Sequence, residues 1–101
     1  MSVYMIIEAL EVKDRERYGE YVAQVKSLVE SYGGKYLSRG GNITPLVGDW
    51  NPLRMVLIEF PDMSCLQGCF GCDEYQKLAP LRESSTKLRA VVLDDEVKAK
   101  L

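Results

Sequence analysis

Along the chain the spacing of apolar residues switches between a period of two and a helical period, and each switch marks an element. Across Val3–Val12 both faces of an extended segment are apolar. One carries Val3, Met5, Ile7 and Ala9; the other carries Tyr4, Ile6 and Leu10, with Glu8 among them. A strand that is apolar on both faces is covered on both. Asp14 suits a helix N-cap. After it Tyr18, Tyr21, Val22, Val25, Leu28, Val29 and Tyr32 keep i, i+3, i+4, i+7 spacing, with Glu16, Arg17, Glu20, Gln24, Lys26 and Glu30 on the other side. Gly33-Gly34 supplies a left-handed stop. Residues 36–39 read as a second strand, which carries Tyr36 and Arg39 inward and ends at Gly40-Gly41-Asn42. Residues 43–47 read as a short return strand interrupted by Pro45, and residues 48–52 as a loop dense in turn formers. Arg54–Phe60 is a third strand, again apolar on both faces. Pro61-Asp62 closes it, and Asp62 or Ser64 caps a short helix over residues 63–70 that Gly71 breaks. Residues 73–88 are helical with a break or kink at Pro80, and residues 89–93 form a fourth strand.

The order β-α-β-(β)-β-α-β predicts an α+β protein: a ferredoxin-like β-α-β-β-α-β sandwich with a four-stranded antiparallel sheet. The domain spans residues 1–94, and residues 95–101 form a charged tail. Helices cover one face of such a sheet. A chain of 101 residues has little left for the other, so a second copy is expected there, its sheet facing the first in a homodimer.

Composition narrows the function. Thirteen Lys and Arg against 15 Asp and Glu, scattered along the chain, give no basic patch for nucleic acid. No apolar run approaches the ~18 residues of a membrane span. The N-terminus lacks the basic region and cleavage site of a signal peptide. A cytoplasmic protein is expected. Histidine is absent, which removes the commonest neutral-pH acid/base, the commonest metal ligand and any Ser-His or Cys-His nucleophile. Three cysteines cannot all pair within one chain, which fits a reducing compartment.

Four segments stand in a telling order: Tyr32-Gly33-Gly34-Lys35-Tyr36-Leu37-Ser38-Arg39-Gly40-Gly41, the Gly48-Asp49-Trp50 loop, Arg54 followed by Ile58-Glu59-Phe60-Pro61, and Asp73-Glu74-Tyr75-Gln76 running on to Leu81-Arg82. With these the chain resembles the domain-of-unknown-function 1330 family of the dimeric α+β barrel superfamily, from about Tyr4 to Leu93. The resemblance implies a ferredoxin-like protomer and a homodimer whose sheets face each other as a barrel. Superfamily relatives include cofactor-free monooxygenases, isomerases, lyases and dehalogenases acting on small organic molecules. The chain departs from the family between Cys65 and Cys72: Cys69 replaces a usual aromatic, Cys72 a usual serine cap, and Asp73 a usual proline.

Cys65, Cys69 and Cys72 have the spacing of a radical S-adenosylmethionine cluster motif, but Gly71 stands where an aromatic belongs and the chain is far shorter than such enzymes. Zinc would need a fourth ligand. Small core-facing cysteines are the simpler reading, and neither metal nor cofactor is expected. Arg39 and Arg54 lie in apolar strands, where an unpaired guanidinium is costly. They form either a structural network with Glu8 and Glu59 or a fork for a substrate carboxylate or enolate. Glu59 is the best general-base choice, since apolar surroundings raise a carboxylate's pKa, although alternation sets it and Arg54 on opposite faces unless a bulge intervenes. Tyr36 joins it as a catalytic candidate, and Tyr21, Tyr75 and Arg82 complete the set that would line a pocket. Trp50 reads as a dimer contact. Three functions follow: a cofactor-free enzyme acting on a small organic anion, a non-catalytic ligand-binding or regulatory homodimer, and a thiol or metal protein.

Overall fold

The computed structural model describes residues 1–96, so most of the charged tail lies outside the described residues. Seven elements follow in order: β1 (Val3–Val12), α1 (Arg15–Ser31), β2 (Lys35–Ser38), β3 (Arg54–Phe60), α2 (Met63–Gly71), α3 (Asp73–Ser85) and β4 (Thr86–Asp94). The four strands form one sheet in the order β2-β3-β1-β4 with every neighbouring pair antiparallel. This is the expected ferredoxin-like α+β arrangement.

Each helix end follows from its residues. The Asp14 carboxylate accepts from the Arg17 backbone N–H at 3.1 Å, and Asp62 accepts from Cys65 N–H at 2.8 Å; each satisfies a donor that a helix start leaves orphaned. Helix α1 stops in a Schellman motif: Gly33 N–H donates to the Glu30 carbonyl at 3.1 Å and Gly34 N–H to the Val29 carbonyl at 2.9 Å, with Gly33 at φ 84°. Gly34 is needed for a second reason, because a Cβ there would lie 2.4 Å from Val29 Cγ1.

Alternation sorts the sheet into two faces. In β3 the buried residues are Val56, Ile58 and Phe60, which pair across to Ile7, Met5 and Val3. With Tyr18, Tyr21, Val25, Leu28 and Val29 of α1, and with Leu66, Cys69 and Tyr75, they form the core. The other face carries the rows Leu57–Ile6–Val91 and Glu59–Tyr4–Leu93. No helix among the described residues covers it, and Val91 is 60% and Leu93 49% exposed.

Three local expectations are corrected. Residues 43–47 form no strand; the whole stretch between β2 and β3 is loop, consistent with Pro45 removing a ladder donor. Helix α3 ends at Ser85, so residues 86–88 belong to β4. Thr86 Oγ1 donates to the Glu11 carbonyl at 2.6 Å, anchoring that strand start against β1. Of the break or kink expected at Pro80, the break does not occur, since Pro80 lies inside α3.

Candidate functional site

The register of β2 against β3 builds the site. Tyr36 pairs with Ile58, but the next paired residue, Ser38, meets Leu57. Leu37 is therefore an extra residue, a bulge. Three residues apart on a regular strand, Tyr36 and Arg39 would face opposite ways. The bulge brings both to the helix side, where the Arg39 guanidinium lies 5.3 Å from the Tyr36 ring centroid.

Between α1 and this part of the sheet lies a cavity of about 40 Å³ walled by Tyr18, Tyr21, Val25, Tyr36, Val56 and Ile58, with Arg39 and Arg54 among its lining. It shares Tyr18, Val22, Arg39 and Arg54 with an open groove of about 690 Å³ that adds Arg15 and Gly40. A third space, of about 90 Å³, is lined by Tyr75, Arg82 and Arg89 and shares Ile7, Tyr21, Phe70 and Leu88 with the first. Among the described residues the charged residues lining these three spaces are arginines, although the Arg89 guanidinium is turned to the other face of the sheet, where it pairs with Glu8.

Arg54 is the best-defined of them. Its guanidinium lies 5.6 Å from the Tyr18 ring centroid. Gly40, at φ 98°, packs against it so closely that a Cβ would lie 3.3 Å from Arg54 Cγ and 3.4 Å from Nε. That Nε is buried and, among the described residues, has no hydrogen-bond partner, and the same is true of the Nε of Arg82. An unmet buried donor costs about 1–3 kcal/mol.

The tyrosines are donors here. Tyr21, which lines both inner spaces, shares a hydroxyl–hydroxyl hydrogen bond of 3.0 Å with Tyr75, which lines the second. Burial, then the bond to Tyr75, holds the Tyr21 phenol well above its ordinary range, although nearby Arg82 opposes the shift. Burial pushes Tyr36 up to about 12, with Arg39 pulling the other way. Both stay protonated near neutral pH.

The structure thus gathers Tyr21, Tyr36, Arg39, Arg54, Tyr75 and Arg82 on the helix side of the sheet. Glu59 is not with them. Strand β3 runs against β1 without a register break, so alternation sends Glu59 to the open face, opposite Tyr4 and Lys35. A structural network between Arg39 or Arg54 and Glu8 or Glu59 is not formed either. Glu8, 8% exposed, instead accepts from Arg89 Nε at 2.8 Å and from Trp50 Nε1 at 3.4 Å, on the open face. Tyr18 and Gly40 contribute more to the site than the sequence suggests; Tyr18 is hidden there within an ordinary apolar stripe.

The cysteines have separate settings. Cys69 is fully buried, and burial pushes its thiol up to about 11. Cys72 caps α3: its sulfur accepts from Tyr75 N–H at 3.4 Å while its thiol donates to the Cys69 carbonyl at 3.0 Å. It thereby takes over the capping task of the family's serine. All three are free thiols, and among the described residues no group of three or more potential metal ligands comes together.

The fold defines a ferredoxin-like α+β protein. Residues 2–95 match the family described as Domain of unknown function (DUF1330), and the chain belongs to that family. No curated protein matches it. Among solved structures it is similar to a protein of unknown function from Rhodopseudomonas palustris, at 18% identity and a TM-score of 0.77, over 97% of this chain and 84% of that one. It is also similar to a dimeric ferredoxin-like protein of unknown function from Jannaschia, at 13% identity and a TM-score of 0.67, over 93% and 99% of the two chains. A dabb family protein with a ferredoxin-like fold from Mesorhizobium loti matches at 9% identity and a TM-score of 0.67, over 95% and 98%. At these identities the likeness is one of fold. No helix among the described residues is long and apolar enough to cross a membrane.

Proposed function

We propose that this protein is a homodimer that binds a small organic anion between α1 and the sheet, with Arg39 and Arg54 holding the anionic group. The observation that carries this reading is the charge of the site. In a chain of net charge −2, the groove and cavities on the helix side are lined by Arg15, Arg39, Arg54 and Arg82 and, among the described residues, by no carboxylate. The buried Arg54 Nε finds no acceptor among the described residues, and a guanidinium fork suits a carboxylate. The apolar walls from Val25, Val56 and Ile58 suit the body of the same molecule.

The dimer reading rests on the open sheet face. Its apolar rows, centred on Leu57–Ile6–Val91, suit a second copy of the same face. The Jannaschia protein, alike in fold, is described as dimeric. Free thiols at all three cysteines support a reducing, cytoplasmic setting.

A second reading makes the site catalytic, and the Tyr21–Tyr75 pair favours it. The hydrogen-bonded phenols beside an arginine would donate to an enolate or phenolate as charge develops, with Tyr36 a further donor. Glu59 cannot serve as the base for this cavity from the opposite face of the sheet.

Isothermal titration with aromatic and aliphatic monocarboxylates tests the proposal. Binding is expected for at least one, weakened tenfold or more by Arg54→Met. No binding across the panel, or equal binding by the variant, would remove it. Mass analysis of the bound acid after prolonged incubation separates the two readings: recovery unchanged favours binding alone, and conversion favours catalysis.

A further inference from the structure

We propose that the ligand is a dianion of the dicarboxylate class, its second carboxylate received by Arg82 beside the Tyr21–Tyr75 pair. This rests on the anion site at Arg54 and extends it. The two inner cavities adjoin: Ile7, Tyr21, Phe70 and Leu88 wall both. Arg54 lines the first and Arg82 the second, and each has a buried Nε without a partner among the described residues. Among the described residues Arg82 is otherwise engaged only through a long, 3.4 Å contact from its terminal nitrogen to the exposed Glu83. Its buried Nε is left unmet there, at a cost that a ligand oxygen would remove.

The polar groups between the two arginines fit the same ligand. The Tyr21–Tyr75 hydroxyl pair stands where the two spaces meet, since Tyr21 lines both and Tyr75 the second, and one phenol of such a pair always has a proton left to donate. Arg82 lies near enough to act electrostatically on Tyr21. The second cavity, like the first, is lined by no carboxylate. A monoanion with an apolar tail would bury that tail against an unmet guanidinium, whereas a diacid matches both ends.

The test compares monoacids with diacids of equal carbon number by isothermal titration: butyrate with succinate, hexanoate with adipate, octanoate with suberate. At least one diacid should bind tenfold or more tightly than its monoacid. Arg82→Met should remove that gain without weakening the monoacid, whose tail no longer meets an unmet guanidinium, whereas Arg54→Met should weaken both. Arg82→Gln, which keeps a polar side chain, should repeat the result and guards against misfolding of the first variant. If no diacid exceeds its monoacid, or the gain survives both Arg82 variants, the dicarboxylate assignment is wrong while the Arg54 site stands. If neither kind of acid binds, the anion site fails and this inference falls with it.

Discussion

Tyr36 and Arg39 stand three residues apart in sequence yet face the same side of the sheet, with the guanidinium 5.3 Å from the ring centroid. The extra residue Leu37 makes this possible by shifting β2 against β3. Gly40 then turns the chain at φ 98°, pressed against Arg54. Strand irregularity, glycine and the two arginines form one unit whose product is the mouth of the cavity.

That unit predicts the behaviour of Gly40→Ala. The substitution strains a left-handed backbone, which costs about 1–3 kcal/mol, and its methyl group meets Arg54 Cγ and Nε at 3.3 and 3.4 Å. Urea denaturation should show a loss in that range, and carboxylate affinity should fall with it. A variant of unchanged affinity would mean that Arg54 does not depend on the turn.

Arg54 itself should show function and stability opposed. Its Nε is buried without a partner, so Arg54→Met removes an unmet donor while keeping apolar bulk. The contact with Tyr18, worth about 0.5–1 kcal/mol at an exposed site, is lost. Relief of about 1–3 kcal/mol should offset it. The variant is expected to be as stable as the parent or about 1 kcal/mol more so by urea denaturation, a combination seen where a site is kept for function. Destabilisation by more than about 2 kcal/mol would mark Arg54 as structural.

Alkaline pH tests the tyrosine environments. In the folded chain Tyr21 and Tyr36 hold their protons more tightly than the ordinary tyrosine value of 10.0, and Tyr36 titrates at about 12. Their contribution to stability is therefore complete below pH 10.0 and is lost as pH rises toward the folded values. Stability followed by denaturant unfolding should decline between pH 10.0 and about 12, and Tyr36→Phe should make that decline shallower. An identical decline in the variant would place Tyr36 in open water.

The open sheet face predicts assembly. Val91 is 60% exposed in the protomer, in the row with Ile6 and Leu57. Val91→Asp would bury a charge in a sheet-to-sheet interface, at a cost of several kcal/mol. Sedimentation should show a dimer for the parent and a monomer for the variant. A parent that sediments as a monomer would leave that face without the partner proposed for it.

Much of this was legible in the sequence. Periodicity located α1, β1 and β3, Gly33-Gly34 marked the helix stop, and alternation alone separated Arg54 from Glu59. The Leu37 bulge was hidden, because no glycine or proline announces it and a single inserted residue reverses the facing of all that follows. The partner of Glu8 was hidden too. Only the register of β1 with β4 sets Arg89 across from it, and that register is a product of tertiary packing. The end of α3 was misplaced because Thr86 begins a strand through a bond to Glu11, 75 residues away in the chain.

Native mass spectrometry bears most directly on the central claim, that an organic anion is held at Arg54. The full chain and its Arg54→Met variant would each be incubated with a mixture of small mono- and dicarboxylates and sprayed under gentle conditions. The parent should appear as a dimer retaining an acid, and the variant as a dimer without one. A parent that retains no acid, or a variant that retains it equally well, would contradict the account.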